Sequence, residues 1–142
     1  MIEKSTATFD TKRKSIDEMK NWFIQHGSDY PIIVAIRDDD VIGWASLSRY
    51  STRCAYSKTV ELSVYVHEEY QRQGYGKSLF REIISSGKDF GFHAIISRIV
   101  DGNEQSIHLH EKFGFSHVGV LKEVGYKFET IHDVYLMQYI FD

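Results

Sequence analysis

The sequence predicts an α/β fold, in which β-strands and amphipathic helices follow one another along the chain. Residues 59–66 alternate apolar and polar side chains, as a half-buried strand does. From Lys77 onward the apolar residues recur four positions apart, which is typical of a helix with one buried face. Between these two segments lies the turn Gln71-x-x-Gly74-x-Gly76, so strand, turn and helix form one continuous unit.

The glycine turn has the features of an anion site. Gly74 and Gly76 have no Cβ, so successive backbone N–H groups can point towards one place, and the helix that follows adds partial positive charge there. A pyrophosphate is the expected ligand. The turn is neither a Walker A loop, which needs glycine at Gln71, nor a dinucleotide fingerprint, which needs glycine at Leu79. The alternative is that the glycines only reverse the chain.

Length and composition indicate one globular domain over residues 1–142. Apolar residues make up 42% of the chain, enough for a core, which argues against a disordered protein. The 17 basic and 20 acidic residues give a net charge of −3, which argues against nucleic acid as the main partner. Cys54 is the only cysteine, so an internal disulfide framework is excluded.

Location and metal content are predicted from what the sequence lacks. No apolar run approaches membrane-spanning length, and the first fourteen residues are too polar for a signal peptide. The seven histidines have no H-E-x-x-H or comparable ligand spacing, so no metal site is predicted. We therefore expect a cytoplasmic enzyme without a metal and without a membrane partner.

The first half of the chain divides into a helix and two strands. The capping box Ser15-x-x-Glu18 begins the helix, and Gly27 ends it. Strands are predicted at residues 32–36 and 41–48, joined by a turn at the acidic triplet 38–40. Gly43, inside the second strand, indicates a bulge or close packing.

The second half is predicted from the same signals. The polar and aromatic loop 49–58 either carries function or is a solvated connection. The helix after the glycine turn is predicted to end near Ser86. It is followed by a strand at 94–100, a helix at 103–113, and a closing pair of strands at 117–128 and 133–141.

Two motifs together resemble the GNAT superfamily of N-acetyltransferases. The first is the turn [Q/R]-x-x-G-x-G/A after a strand, at Gln71–Gly76. The second is the pattern N-x-x-[SA]-x-x-L/F-[YH]-x-[KR]-x-G-F, whose specified positions are filled by Asn103, Ser106, His110, Lys112, Gly114 and Phe115. The resemblance covers essentially the whole chain. It implies a mixed central sheet flanked by helices.

Further segments resemble the phosphinothricin and methionine-sulfone acetyltransferase branch. They are Thr6–Phe9, Glu61–Val66, Val124–Phe128, His132–Val134 and Met137–Gln138. That branch normally has a strand and a helix before the segment that matches Thr6–Phe9, and this chain is short by both. We therefore expect the strand at 32–36 to form a sheet edge, and a homodimer to cover the exposed surface. The alternative is that the corresponding strand and helix lie upstream, which would leave this chain with a looser acceptor site.

The resemblance also implies acetyl-CoA as co-substrate. The backbone of residues 64–66 would pair with the pantetheine arm, the turn would hold the pyrophosphate, and the start of the 103–113 helix would line the other wall. The predicted coenzyme-binding residues are Val64, Tyr65, Val66, Gln71, Arg72, Gln73, Gly74, Tyr75, Gly76, Lys77, Asn103 and Ser106.

Two residues are candidates for catalysis. A carboxylate inside an apolar strand is costly unless it is paired or functional, so Glu61 is the candidate base, its pKa raised by partial burial. The alternative is a structural carboxylate that forms an ion pair with a basic residue such as Arg49 or Lys127. His110 stands where many GNAT enzymes have a tyrosine acid, and imidazole can act as acid or base near neutral pH. The alternative is a structural histidine that contacts the coenzyme.

The predicted activity is direct transfer of an acetyl group to the α-amine of a small amino acid or analogue, such as phosphinothricin, methionine sulfone or methionine sulfoximine. Cationic and donor side chains would meet its carboxylate or phosphinate. The candidates are Arg49, Arg53, Tyr126 and Lys127. The competing hypothesis is a module that binds acyl-CoA without catalysis.

Overall fold

Helices and strands follow one another in the computed structural model much as the sequence predicts. The structure describes residues 16–142, so Thr6–Phe9 and Ser15, which carried parts of the prediction, lie outside the described residues. The elements are α1 (Ile16–His26), β1 (Ile32–Arg37), β2 (Asp40–Arg49), β3 (Thr59–Val66), α2 (Tyr75–Asp89), β4 (Ala94–Val100), α3 (Glu104–Lys112), β5 (Ser116–Lys127) and β6 (Thr130–Ile140).

The described residues divide into two units. The first unit comprises residues 28–96 and 139–142, and its strands follow the order β1-β2-β3-β4. Strands β1, β2 and β3 are antiparallel neighbours, whereas β3 pairs in parallel with β4 through Thr59–Glu61 and Ala94–Ile96. Parallel and antiparallel pairs therefore occur together, and the predicted α/β fold with a mixed sheet is confirmed.

The β1–β2 hairpin is as predicted. Asp38 and Asp39 both have positive φ, 51° and 68°, which is the backbone of a tight two-residue turn between antiparallel strands. The register shifts between Ala35 and Ile36, so β2 carries a bulge beside Gly43. A Cβ built on Gly43 would lie 2.7 Å from the Tyr65 carbonyl oxygen. Gly43 thus marks both a bulge and a close approach.

Replacing Gly43 with alanine is expected to destabilise the protein, because the new methyl group meets backbone that cannot rotate away. Overpacking of this kind costs about 1–3 kcal/mol, and each kcal/mol lowers the melting temperature by roughly 2–4 °C at this size. Gly119→Ala is the matched control, since nothing lies within 4 Å of its built Cβ. Equal melting temperatures for Gly43→Ala and wild type would contradict this packing.

Helix α2 is longer than predicted at both ends. It begins two residues earlier, at Tyr75, because Gly74 takes the N-cap position, and it continues past Gly87 to Asp89. A Cβ on Gly87 would lie 2.9 Å from both Leu47 Cδ1 and Phe141 Cζ. Gly87 does not end the helix: it is buried and lets α2 lie close to its neighbours.

The core of the first unit lies between α2 and one face of its strands. Leu79, Phe80 and Ile83 of α2 are at most 3% exposed, and Val60 and Leu47 on the strands are fully buried. Strand β1 is terminal in the described strand order, as expected, with Val34 and Ile36 exposed. Within residues 16–142, no helix has both the length and the apolar character needed to cross a membrane.

The second unit comprises residues 16–27 and 97–138, with strand order β4-β6-β5. Strands β5 and β6 form a long antiparallel hairpin whose turn, Phe128–Glu129, has positive φ at both residues. The prediction that the last strand begins at Asp133 is therefore wrong by three residues. No glycine or asparagine marks this turn, so the sequence carries no signal for it.

One wide bulge in β5 depends on a carboxylate from β6. Three residues, 122–124, oppose the single residue Asp133. The Glu123 backbone N–H donates to Asp133 Oδ1 at 2.9 Å, and Lys122 Nζ donates to Oδ2 at 3.3 Å. The first of these hydrogen bonds lowers the pKa of Asp133 most, and Lys122 adds to it. Asp133 thus keeps a left-handed residue, Glu123, in place.

Candidate functional site

Strand β3 presents two faces, as its alternation predicts. Val60 and Leu62 are buried on the face towards α2, whereas Glu61 is partly exposed and Ser63 is exposed on the opposite face. Beyond Ser63 the alternation in burial ends, and residues 64–66 are all partly exposed. The accessible end of β3 therefore leads directly into the glycine turn.

The ladder with β2 fixes where the β3 backbone groups point. The His67 N–H donates to the Ile42 carbonyl at 2.7 Å, so hydrogen-bonded pairs alternate from there, and Tyr65 is bonded to its partner Trp44. The backbone groups of Val64 and Val66 consequently point to the other edge of β3. Only these two of the three predicted residues can offer backbone to a pantetheine arm, and Tyr65 can offer its side chain.

Glu61 lies on a polar face of the first unit, the face opposite α2. Its cross-strand partner is Ser48, and the next pair on this face is Ser46 with Ser63. The Ser46 side chain is fully buried, and its hydroxyl makes no hydrogen bond within the described part of the chain. A candidate base is thus set in a row of three serines that sequence reasoning did not identify. Alternation in β2 was the signal that could have found them.

The loop between β3 and α2 is held by its own glutamines. Gln71 Nε2 donates to the Val66 carbonyl at 3.1 Å, and Gln73 Nε2 donates to the Glu69 carbonyl at 3.3 Å. Arg72, between them, has a φ of 63°, a backbone conformation that residues other than glycine adopt only where the surroundings hold it. The side chains of the loop itself therefore help to hold its conformation.

Gly74 fits the predicted role at the pyrophosphate. It is the N-cap of α2 with φ of 90°, it has no side chain to cap the helix, and nothing lies within 4 Å of a Cβ built on it. The N–H groups of Tyr75, Gly76 and Lys77 have no partner within the helix, because the first intrahelical bond runs from Ser78 to the Gly74 carbonyl. Open space beside unpaired N–H groups is what a phosphate needs.

In the second unit, Asn103 and Ser106 form the start of α3. Asn103 is the N-cap, and its Oδ1 accepts from the Ser106 backbone N–H at 3.3 Å. This is a structural reason for asparagine at this position. The amide NH₂ of Asn103 is the group that remains suited to donate to a coenzyme. Both residues are partly exposed, and the predicted contacts stay predictions.

His110 is a buried residue of α3 whose ring is held by a backbone carbonyl. It is 5% exposed, and its Nδ1 lies 2.7 Å from the Ser106 carbonyl oxygen. Because a carbonyl only accepts, Nδ1 carries the proton and Nε2 carries the lone pair. Burial lowers the pKa of His110, and the hydrogen bond to Ser106 opposes this only partly. A neutral ring of this tautomer can accept a proton at Nε2 but has none to donate there.

The end of α3 accounts for the burial of His110. The Phe115 N–H donates to the His110 carbonyl at 3.0 Å, and the Gly114 N–H donates to the Glu111 carbonyl at 3.1 Å. These two bonds form a Schellman motif, and the Phe115 ring packs edge-on against the His110 ring at 4.9 Å between centroids. The match to the family pattern at Gly114 and Phe115 therefore has a structural cause: it closes the helix over the histidine.

The lowered pKa of His110 predicts a loss of stability in mild acid. Unfolded chains take up a proton at this histidine near the ordinary value of 6.5, whereas the folded protein takes it up only at lower pH. Stability therefore falls as pH drops from about 6.5 towards the folded pKa. Replacing His110 with glutamine, which can still donate to the Ser106 carbonyl, should flatten the decline in melting temperature between about pH 7.5 and 5.5.

The matched control is His108→Gln, on the same helix, where the side chain is 79% exposed. That variant should keep the wild-type slope of melting temperature against pH. Identical slopes for wild type and His110→Gln would show that His110 contributes nothing to the acid sensitivity.

The predicted acceptor contacts in the first unit separate. Arg49 pairs with Val60, which faces α2, and its Nε donates to the Tyr30 hydroxyl at 3.3 Å. The Tyr30 ring stacks on Phe92, just after α2. Arg49 therefore lies on the α2 side and not on the face of Glu61. Arg53 lies in the 50–58 loop, and its side chain is exposed.

The other two predicted acceptor contacts, Tyr126 and Lys127, are neighbours in β5. Adjacent residues of a strand point to opposite faces, and here Tyr126 is 68% exposed while Lys127 is 4% exposed. A ligand on one face of the hairpin would therefore meet only one of them. The Lys127 ammonium lies 5.3 Å from the centroid of the Phe128 ring.

Metal-ligating side chains are not grouped within residues 16–142. No group of three or more histidine, cysteine, aspartate or glutamate side chains in this range is arranged to hold a metal ion. Glu111 has two histidine neighbours: one carboxylate oxygen lies 3.6 Å from His108 Nδ1, and the other lies 3.5 Å from His117 Nε2.

Comparison with known proteins gives one family. The model of the acetyltransferase (GNAT) family matches residues 2–115. A phosphinothricin N-acetyltransferase from Streptomyces coelicolor is 32% identical, over 94% of this chain and 80% of that protein.

Solved structures agree with the sequence match. A GNAT superfamily phosphinothricin acetyltransferase from Sinorhizobium meliloti, in complex with AcCoA, superposes with a TM-score of 0.94 at 32% identity, covering 98% of this chain and 76% of that one. A ribosomal-protein-alanine N-acetyltransferase from Brucella melitensis superposes with a TM-score of 0.95 at 32% identity, covering 99% and 87%. The predicted fold and branch are both confirmed by these relatives.

Proposed function

Because this chain belongs to the acetyltransferase (GNAT) family, we propose that it acetylates the α-amine of a small amino acid or amino-acid analogue. Family membership makes it an N-acetyltransferase with acetyl-CoA as co-substrate. The acceptor is the part that we infer. It follows the phosphinothricin acetyltransferases among the relatives, whose acceptor carries an α-amine and anionic groups.

The single structural observation that supports acetyl transfer from bound acetyl-CoA is the continuous path from β3 to α2. The outward backbone groups of Val64 and Val66 lead to unpaired N–H groups beside the open space at Gly74. A backbone edge suits the amides of a pantetheine arm, and the helix start suits a pyrophosphate. Bound acetyl-CoA would supply a thioester, whose carbonyl carbon accepts the amine.

Glu61 is the proposed base for this reaction. The acceptor enters as an ammonium ion, so a carboxylate must first take one proton, directly or through a water molecule, before the amine can attack. A C–N bond then forms between the amine nitrogen and the thioester carbon, and the C–S bond breaks. The nitrogen loses its second proton, which balances the proton taken up by the departing thiolate, so CoA leaves as the thiol. Ser48 lies opposite Glu61, and Ser46 and Ser63 form the next pair on the same face. The hydroxyls of Ser48 and Ser63 are suited to order a water molecule or the ammonium group.

An N–H donor to the developing oxyanion is the second requirement. We assign it to the outward edge of β3, at Val64 or Val66, because backbone N–H groups there are fixed by the ladder with β2. Fixed donors need no reorganisation when charge develops. This placement needs no movement of the strand, since Val66 is already tied to the loop by Gln71.

His110 enters the proposal as a group that accepts a proton at Nε2. The lowered pKa and the Nδ1 hydrogen bond to Ser106 support an acceptor rather than the acid that the family position suggests. Asn103 and Ser106 are proposed to contact the coenzyme, as the resemblance implies. Among the four predicted acceptor contacts we retain Arg53 together with one of Tyr126 and Lys127, which lie on opposite faces of β5. We leave out Arg49 because of its place beside Tyr30.

A panel of acceptors tests the proposed specificity. Phosphinothricin, methionine sulfone and methionine sulfoximine present a free α-amine beside a carboxylate. A short peptide with N-terminal alanine presents the α-amine without that carboxylate, and spermidine presents neither. We expect N-acetylated product, detected by mass spectrometry, with the first group only. Efficient acetylation of spermidine or a peptide, with none of the amino-acid analogues, would overturn the acceptor assignment.

We further propose that the chain forms a homodimer through the β5–β6 hairpin. Strand β5 is terminal in the described order, and along its two faces it carries apolar side chains that are 39–68% exposed: Val118, Val120, Leu121, Val124 and Tyr126. Exposed apolar patches of this kind mark interfaces. Light scattering after size exclusion should give twice the chain mass, and Val124→Glu should give a monomer. A wild-type monomer at micromolar concentration would contradict the proposal.

A further inference from the structure

Arg37, the last residue of β1, reaches across the opening of α2. Its Nη1 donates to Gln73 Oε1 at 3.3 Å and lies 3.5 Å from the Tyr75 hydroxyl. Its guanidinium group also lies 5.6 Å from the centroid of the Tyr70 ring. Gln73 and Tyr75 flank Gly74, so one side chain holds the chain on both sides of the turning glycine.

The position of Arg37 is itself fixed by the sheet. Alternation along β1 places it with Ile33 and Ala35, whose partners Ala45 and Gly43 lie on the face towards α2. The tight turn at Asp38 and Asp39 then closes the hairpin directly after it. The guanidinium group is thus presented to the loop from a rigid base. The nearby Asp38 carboxylate, 3.9 Å from Nε, is 92% exposed and holds Arg37 only weakly.

The loop needs an attachment of this kind. Both Arg72 and Gly74 have positive φ, and Gln73 lies between them. The Gln73 amide is held at both ends, since Nε2 donates to the Glu69 carbonyl and Oε1 accepts from Arg37. The Tyr70 and Tyr75 rings meet edge to face, 6.3 Å apart, and His67 packs against Tyr70. Arg37 is the one member of this cluster that comes from outside the loop and α2.

We propose that Arg37 is a positioning residue for the coenzyme. It keeps Gln73–Tyr75 in the conformation in which the backbone N–H groups face the pyrophosphate, and it acts through these residues rather than on the reacting atoms. The inference rests on the proposed function, because it concerns the pyrophosphate end of the same site. It also explains why an exposed arginine at a hairpin end contacts Tyr70 and Gln73 in the loop and Tyr75 at the start of α2.

Steady-state kinetics with two thioesters test this role. Arg37→Ala should raise KM for acetyl-CoA by about tenfold, the equivalent of one charge-assisted hydrogen bond, with kcat changed less than about twofold. Acetyl-pantetheine lacks the pyrophosphate, so its kcat/KM should not change. Arg37→Lys should recover little, because an ammonium group cannot reproduce the planar fork. Arg81→Ala, which removes a charge from the exposed side of α2, is the control and should match wild type.

A double-mutant cycle separates positioning from direct contact. If Arg37 acts through Gln73, the double variant Arg37→Ala/Gln73→Ala should be no worse than the more severe single variant. Arg37 also contacts Tyr75, so the same cycle is run with Tyr75→Phe. Additive losses in coenzyme affinity in both cycles would show direct contact with the coenzyme and overturn the positioning role. Three other results would also overturn the positioning role: an unchanged KM for acetyl-CoA in Arg37→Ala, equal losses of kcat/KM with acetyl-pantetheine, or full recovery by Arg37→Lys.

Calorimetry with CoA distinguishes this failure from failure of the proposed function. Wild-type protein that binds CoA while Arg37→Ala binds equally well would overturn the role of Arg37 alone. Wild-type protein that does not bind CoA would overturn the coenzyme assignment, and the role of Arg37 with it.

Discussion

Glu61→Gln is expected to lower the turnover number by about 10²–10⁴-fold, the usual effect of removing a general base. Glutamine keeps the size and the hydrogen bonding of the side chain on the serine-lined face, but it cannot take the proton from the acceptor ammonium ion. Affinity for CoA should stay close to wild type, because Glu61 is not among the proposed coenzyme contacts, which include Val64, Val66 and the glycine turn. Measurement requires kcat at saturating acceptor together with the dissociation constant of CoA.

The control for Glu61→Gln is Glu82→Gln, an exposed carboxylate on α2 that should leave both values unchanged. The pH dependence adds a second readout. Wild-type turnover should rise with pH along an acid limb as the base loses its proton, and the glutamine variant should lack that limb. An unchanged rate with an unchanged pH profile would make Glu61 a structural carboxylate.

Gly74→Val is expected to lower coenzyme affinity by roughly 10²-fold, a loss of about 3 kcal/mol from hydrogen bonds between backbone N–H groups and charged phosphate. The protein itself leaves room for the new side chain, since nothing lies within 4 Å of the built Cβ. The valine would instead occupy the space proposed for the pyrophosphate. Calorimetric titration with CoA measures the effect.

Backbone strain must be separated from this steric effect, because Gly74 has φ of 90°. Gly91→Val is the matched control: its φ is 81°, and it lies just after α2, away from the turn. Both variants should lose similar stability on heating, and only Gly74→Val should lose CoA affinity. Full affinity in a folded Gly74→Val protein would refute the pyrophosphate assignment.

The strand, turn and helix from Thr59 to α2 could be predicted from the sequence because their signals are local. Alternation, two glycines and four-residue spacing follow one another within thirty residues. The start of α2 was predicted two residues too late because Gly74 is the N-cap. Glycine has no capping side chain, so the sequence does not mark this position as a helix start. Local patterns fix the elements, and their ends depend on how the backbone is capped.

Features that depend on distant partners could not be predicted in the same way. The bulge in β5 is held by Asp133, ten residues from Glu123, and the turn at Phe128–Glu129 adopts left-handed conformations with side chains that rarely favour them. The contact of Arg37 with Gln73 spans 36 positions. Such interactions exist only once the sheet has set the register.

The candidate site shows the same division. Glu61, Gly74 and Asn103 could be proposed from the sequence because local signals mark them: a carboxylate inside an apolar strand, a glycine turn and a helix start. Their roles stay predictions. The serine at 46, fully buried, was missed because its importance lies in sharing a face with Glu61, which needs the β2–β3 register. Arg49 was proposed from its charge, and only its hydrogen bond to Tyr30 shows which face it serves.

The measurement that tests the account most directly is thiol release from acetyl-CoA by the wild-type protein, in a sample whose binding of CoA is established by calorimetry. The account predicts thiol release that depends on phosphinothricin, methionine sulfone or methionine sulfoximine and equals the amount of N-acetylated product formed. Binding of CoA without thiol release, across free amino acids and their analogues, would contradict it and would identify the chain as a module that holds acyl-CoA without transferring the acyl group.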